Sequence, residues 1–102
     1  MKIVKVTYAA KPEFVAQNQE NIRAVMNDLR QADHPGINYF SCLGADGKTF
    51  THTAFFTSDE DQKLLNELPA FLHFQQELKA NGLETPPQLE LLTLVGSSKE
   101  IF

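Results

Sequence analysis

Tryptophan is absent from this 102-residue chain, and cysteine occurs once, as Cys42. A single cysteine excludes an intrachain disulfide and any cysteine-based zinc site, and it fits a reducing compartment. Long apolar runs are also missing. No stretch approaches the roughly 20 apolar residues that a membrane helix needs. The opening Met-Lys-Ile-Val-Lys-Val places charge inside its apolar residues and has no signal-peptide core. These absences give the expectation of a cytoplasmic protein with no membrane association. Positive charge is sparse and scattered: nine Lys and Arg stand against 13 Asp and Glu, for a net charge of -4. Without a basic stripe to neutralise phosphates, nucleic-acid binding is not expected. The three histidines form no His-x-His, His-x3-His or His-Glu-x2-His spacing, so no metal site is expected. No glycine-rich phosphate loop or serine nucleophile elbow occurs.

What is present is ordinary globular material, 42% hydrophobic and 22% charged. A chain of this length has room for one domain, residues 1–102, and one core. Residues 2–9 alternate and are rich in β-branched types, as in a strand. Lys11-Pro12-Glu13 suits a helix entry, because proline at the first turn loses no needed N–H and Glu13 complements the positive end. From Pro12 to about Ala32 a stripe of Phe14, Val15, Ile22, Val25, Met26 and Leu29 has helical period, with Asn18 among the polar residues filling the other faces. Asp33-His34-Pro35-Gly36 ends that helix, and His34 reads as a solvated loop residue.

Residues 37–43 and 48–57 read as two strands joined at Gly44-Ala45-Asp46-Gly47, with Asp-Gly a strong hairpin signal. Two registers are open. A two-residue turn places Ser41 opposite His52, whereas a three-residue loop with Gly47 in a bulge places Phe40 there. We take the bulged form, which groups Asn38, Phe40 and Cys42 with Phe50, His52, Ala54 and Phe56. Ser58 then caps a helix whose first turn is acidic. Pro69 breaks it, and Phe71, Leu72, Gln75 and Leu78, with Phe74 beside them, continue the stripe to Asn81-Gly82. Residues 89–95 alternate as a fourth strand, and the tail after Gly96 is a loose end or a partner contact.

The order β-α-β-β-α-β is the split βαβ, or ferredoxin-like, α+β fold: an antiparallel four-stranded sheet with both helices on one face. Several strands carry apolar residues on both faces, as in Ile3 with Val6, Tyr39 with Phe40, and Phe55 with Phe56. A sheet with one wet face alternates more cleanly. No helix remains to cover the second face, so a homodimer packed through the sheet face is expected.

In this order and these motifs the chain resembles the dimeric α+β barrel superfamily, in particular its antibiotic-biosynthesis-monooxygenase-like branch. The resemblance lies in Lys11-Pro12-Glu13, in Pro35-Gly36 with Tyr39, in Asp46-Gly-Lys-Thr-Phe50-Thr-His52, in Leu68-Pro-Ala-Phe71-Leu-His-Phe74 and in the closing Leu-Val95-Gly96-Ser. It implies a ligand space between helices and sheet, no cofactor, and a monooxygenase acting on a small aromatic or quinone-like molecule. The haem-degrading members of the superfamily use an Asn, a Trp and a His. This chain has no Trp and no Asn on its first strand, which speaks against haem.

His52 is the candidate acid–base or hydrogen-bonding group, because an ordinary imidazole titrates near neutrality. Its structural alternative is a buried histidine bonded to a carbonyl or a side chain. Tyr39 and Asn38 are candidates to orient the ligand, and Phe40, Phe50, Phe56, Phe71 and Phe74 are candidate aromatic walls that compete with the core for the same residues. Tyr8 is a second phenol. His73 is kept as a pocket candidate, although periodicity sets it toward an edge. Cys42 reads as a small buried hydrophobe. A non-catalytic small-molecule-binding or stress-associated barrel and an isomerase-like or lactone-processing enzyme are the competing functions.

Overall fold

The computed structural model describes residues 1–102. Strand β1 (Lys2–Ala9) leads through a 3-10 turn (Pro12–Phe14) into helix α1 (Val15–Ala32). Strands β2 (Ile37–Leu43) and β3 (Thr49–Phe56) form the hairpin. Helices α2 (Asp59–Glu67) and α3 (Pro69–Glu77) follow, then a π-helical turn (Leu78–Gly82) and strand β4 (Gln88–Leu92). The sheet order is β2-β3-β1-β4 and every pairing is antiparallel, which is the ferredoxin-like topology.

The local chemistry explains the boundaries. Asp33 takes the left-handed conformation (φ 48°) and ends α1 one residue before His34. The Ser58 hydroxyl accepts from the Asp61 N–H to cap α2, with Asp59, Glu60 and Asp61 in its first turn. Leu68, extended between α2 and α3, leaves room for Pro69 at the first position of α3. Strand β4 ends at Leu92, shorter than the alternation to Val95 implies.

The hairpin corrects the register taken from the sequence. Ser41 pairs with His52, Phe40 with Thr53 and Leu43 with Phe50. This is the register of the unbulged alternative, closed by a longer loop. The Gly44 N–H donates to the Thr49 carbonyl, and the Gly47 N–H donates to the Gly44 carbonyl. Asp46 stabilises the turn by accepting from the Thr49 hydroxyl and from the backbone N–H groups of Lys48 and Thr49, which together hold its carboxyl down to about 2. With an even loop, no residue is left over to shift the face. Tyr39, Ser41 and Leu43 therefore share the His52 face, and Asn38, Phe40 and Cys42 lie on the other.

One core fills the space between the sheet and the helices. Val4, Tyr8, Phe50, Ala54 and Phe56 from the sheet meet Ile22, Val25, Leu65, Phe74 and Leu78 from the helices. The other face carries exposed Phe40 beside Phe55, with Leu92 also exposed. Cys42 is exposed there, not buried. The tail returns toward β2, where the Asn38 side-chain amide donates to the Ile101 carbonyl at 3.1 Å. Since β2 and β4 are opposite edges of the sheet, this contact carries the tail across the open face.

Two other contacts tie loops to the core. His34 is partly buried and keeps two partners, so it is only in part the solvated loop residue expected. Its Nδ1 accepts from the Gly36 N–H at 3.0 Å, and its Nε2 stands 3.2 Å from an Asp61 carboxylate oxygen. The second Asp61 oxygen accepts from the Thr57 hydroxyl, which lowers the Asp61 pKa. Gly82 packs directly on the Phe14 ring, where a Cβ would overlap ring carbons. Gly47, by contrast, needs its positive φ of 76° and has open space around it. Gly82→Ala is therefore expected to cost about 1–3 kcal/mol by overpacking, and Gly47→Ala about 1 kcal/mol by backbone strain alone. Urea unfolding of the two variants measures both. Equal stability of Gly82→Ala and wild type contradicts the packing account.

Candidate functional site

The strand register decides what surrounds His52. On β3 it stands between Val6 of β1 and Ser41 of β2. Tyr8 and Tyr39, each two residues away on a neighbouring strand, share its face and approach it diagonally. The Tyr8 hydroxyl lies 2.8 Å from His52 Nε2, and the Tyr39 hydroxyl lies 2.7 Å from Nδ1. Both ring nitrogens are thus occupied by phenols. Asn18 of α1 continues the chain, its Nδ2 donating to the Tyr8 hydroxyl at 2.9 Å. The rings support this arrangement by packing: Tyr8 and Phe74 each lie 5.4 Å from the His52 ring centre, and Tyr39 meets Phe71 edge-on.

Burial sets the electrostatics. His52 is 6% exposed and no charged side chain lies within reach of its nitrogens. Desolvation lowers its pKa from 6.5 to about 4. The ring is neutral near pH 7 and is not the near-neutral proton exchanger that the residue type suggests. Burial also pushes both phenols well above their ordinary value of 10. Neither tyrosine ionises in the working range, so both act as neutral donors and acceptors.

A cavity of about 470 Å³ opens beside this group. Its floor is Val6, Tyr8, Tyr39 and His52, and its roof is Phe71, Phe74, Gln75 and Leu78. The mouth is formed by Lys79, Leu83, Pro87 and Leu89. A volume of this size suits a ligand of two or three fused rings, and the lining is mainly apolar with a few polar groups, as small-molecule sites are. The π-helical turn after α3 supplies Leu78 and Lys79 to the lining. No group of three or more His, Cys, Asp or Glu side chains gathers where a metal ion could be held.

The structure brings together His52, Tyr39, Phe71 and Phe74, and it sets five other candidates elsewhere. Asn38 lies on the opposite face, bonded to Ile101, and Phe40 packs there against Phe55. Both follow from the corrected register. Phe50 and Phe56 share the His52 face but are fully packed core. His73 points outward, its side chain 61% exposed and 3.8 Å from Glu77. The inward stripe of α3 is Phe71, Phe74, Gln75 and Leu78, and Leu72 is exposed.

Asn18 was missed, although a signal for it exists. It sits four residues after Phe14 and four before Ile22, on the buried stripe itself. It is wholly buried, and Asn21 nearly so; Asn18 Oδ1 and Asn21 Nδ2 are the buried side-chain polar atoms without a protein partner. Such groups cost about 1–3 kcal/mol each, an expense that points to a role beyond packing.

The chain has a ferredoxin-like α+β fold, which it shares with solved structures of antibiotic-biosynthesis-monooxygenase-like proteins. Three solved structures illustrate it. An antibiotic biosynthesis monooxygenase superposes with a TM-score of 0.78 at 15% identity, covering 94% of this chain and 100% of its own. Rv0793 from Mycobacterium tuberculosis gives 0.78 at 15% identity, with 96% and 98% covered. NE2512, a protein of unknown function from Nitrosomonas europaea, gives 0.72 at 22% identity, with 97% and 94% covered. No protein-family model and no curated protein matches the sequence. Identities this low establish a common fold, and fold alone does not assign chemistry.

The depressed pKa of His52 has a consequence for stability. The unfolded chain binds a proton near pH 6.5, whereas the folded chain resists it until about pH 4. Stability from this residue is complete above pH 6.5 and is lost as pH falls toward 4, amounting to roughly 3 kcal/mol across that interval. His52→Gln is expected to flatten the dependence of unfolding free energy on pH between 6.5 and 4. Denaturant titrations at several pH values check this, and an equally steep profile in the variant contradicts it.

Proposed function

We propose that the protein is a cofactor-independent monooxygenase that oxidises a small aromatic or quinone-forming molecule in the cavity beneath α3. The observation that carries this reading is the Tyr39 hydroxyl, braced by His52 at 2.7 Å, on the floor of an otherwise mainly apolar cavity with Lys79 at its mouth. A braced hydroxyl donor in a mainly apolar pocket stabilises negative charge developing on a bound oxygen. The fold neighbour named an antibiotic biosynthesis monooxygenase supports the class of reaction by analogy.

In this proposal a phenol binds and releases its O–H proton to solvent at the open mouth. Tyr39 holds the resulting phenolate oxygen by hydrogen bonding. The electron-rich ring carbon para to that oxygen bonds dioxygen, and the peroxide takes up one proton. The peroxide O–O bond then breaks as the hydrogen on that carbon leaves as a proton, and its electron pair completes the new C=O. The departing hydroxide combines with the released proton. One phenol and one O2 give one quinone and one water, and the substrate supplies all the electrons. His52 fixes Tyr39 and carries no net proton. Asn38, placed by the resemblance near the ligand, has no part.

A non-catalytic binding protein is the second reading, favoured by one observation: no group lining the cavity is a base near neutral pH. The test is oxygen uptake with a panel of hydroxynaphthalenes under 18O2. Turnover is expected without added metal or flavin, with one labelled oxygen per quinone. Tyr39→Phe should lower kcat about 10²–10³-fold with a smaller effect on KM. Binding of the panel without any turnover by the wild-type protein rejects the monooxygenase and leaves the binding reading.

We also propose a cytoplasmic homodimer joined through the open sheet face, where Phe40, Phe55 and Leu92 are unpaired by any helix. Exposed apolar residues clustered on one face mark an interaction surface. Sedimentation at micromolar concentration is expected to give twice the chain mass, and Phe40→Glu the single chain. A wild-type protein that sediments as one chain rejects the dimer.

A further inference from the structure

We propose that Asn18, acting through Tyr8, holds His52 in its Nδ1–H tautomer, and that this makes Tyr39 a hydrogen-bond donor toward the cavity, selecting ligands that present an oxygen acceptor such as a phenolate, an enolate or a quinone carbonyl. The inference rests on the reading of the cavity as a ligand site, but not on any reaction there.

Asn18, Tyr8, His52 and Tyr39 form a chain of four groups that share a fixed number of protons. The Asn18 Nδ2 is a donor only, and it points at the Tyr8 hydroxyl oxygen from 2.9 Å. That oxygen therefore accepts. Tyr8 has one proton of its own, and its other partner is His52 Nε2 at 2.8 Å. Directed at that partner, the one left to it within the protein, the Tyr8 proton makes Nε2 the acceptor and leaves it bare. A neutral imidazole carries one N–H, which falls on Nδ1. Nδ1–H then donates to the Tyr39 oxygen at 2.7 Å. The remaining proton, on the Tyr39 hydroxyl, has no partner within the protein, and Tyr39 borders the cavity.

The direction of the whole chain is set at its buried end. If Asn18 presented its carbonyl to Tyr8 instead, each bond would reverse. Tyr8 would donate to Asn18, His52 would donate from Nε2, and Tyr39 would spend its proton on Nδ1. Tyr39 would then offer the cavity only lone pairs, and that position would favour amines. An amide 0% exposed on α1, beyond Tyr8 from the cavity, thus decides which polarity of ligand the cavity takes. A second observation agrees with the donor direction. The one charged side chain bordering the cavity is Lys79, and no carboxylate borders it. A cation at the mouth and a donor on the floor both suit an electron-rich oxygen.

The tautomer is measurable on the wild-type protein alone, by long-range 1H–15N correlation of the histidine rings in uniformly 15N-labelled material. The expected spectrum has Nδ1 of His52 protonated and Nε2 bare. A protonated Nε2 overturns the proposal. Asn18→Leu removes the donor that sets the direction, and should give a mixture of both tautomers. A single Nδ1–H form in that variant shows that Asn18 does not control it. The ligand side is tested with 1,4-naphthoquinone, which only accepts, and 1-naphthylamine, which donates. The quinone should bind the wild type more tightly, and Tyr39→Phe should weaken it about tenfold, the worth of one buried hydrogen bond, while leaving the amine unchanged. Equal loss for both probes overturns the assigned donor role. Quinone binding with the Nδ1–H tautomer but without oxygen consumption rejects the monooxygenase and leaves this inference standing.

Discussion

A neutral imidazole has one donor and one acceptor, and burying it requires that both be met. That requirement organises the centre of this molecule. His52 enters the core only because two strands deliver a phenol to each of its nitrogens. Tyr8 and Tyr39 can do so only in one strand register, since a slip of one residue would turn Tyr39 to the opposite face. The register in turn depends on the even loop at Gly44–Thr49 and the Asp46 side chain that holds it. A turn on the surface and a polar group in the core are therefore parts of one constraint.

The same constraint accounts for where the cavity lies. The helices cover the sheet closely over Phe50 and Phe56, where apolar side chains interdigitate. Over His52 and Tyr39 the covering element is α3, a short helix begun by Pro69 and ended by a π-helical turn. At the end of that turn Gly82 packs on the Phe14 ring. Phe74 and Phe71 of α3 touch His52 and Tyr39, and β4, short and at the sheet edge, leaves Leu89 exposed at the mouth. Packing density is given up at the place where the polar chemistry collects, which is the usual arrangement of a ligand site.

The histidines illustrate how differently one residue type is used. His73 is a surface residue near Glu77. His34 joins the end of α1 to the start of α2 through Gly36 and Asp61. His52 is central, yet its burial removes it from proton exchange near neutrality and makes it the brace for a phenol.

The element order was legible from periodicity and punctuation, because helices and strands bury different repeats and Pro12, Pro35, Pro69 and Gly82 mark their ends. Phe71 and Phe74 were legible as an aromatic pair, and His52 as the polar residue in an apolar strand that needed a reason. What local pattern left open was the pairing of β2 with β3. Asp-Gly permits more than one loop, and the side-chain network of Asp46 that chooses among them is a property of the closed turn. From that choice follow the removal of Asn38 and Phe40 from the site and the arrival of Tyr39. Asn18 lay hidden for a related reason: it reads as polar filler along α1 and becomes a partner only when Tyr8, ten residues earlier, is brought beneath it by the fold. Composition and spacing act along the chain and suffice for the elements; the site is made of contacts between elements, and those exist only once the core has set their register and separation.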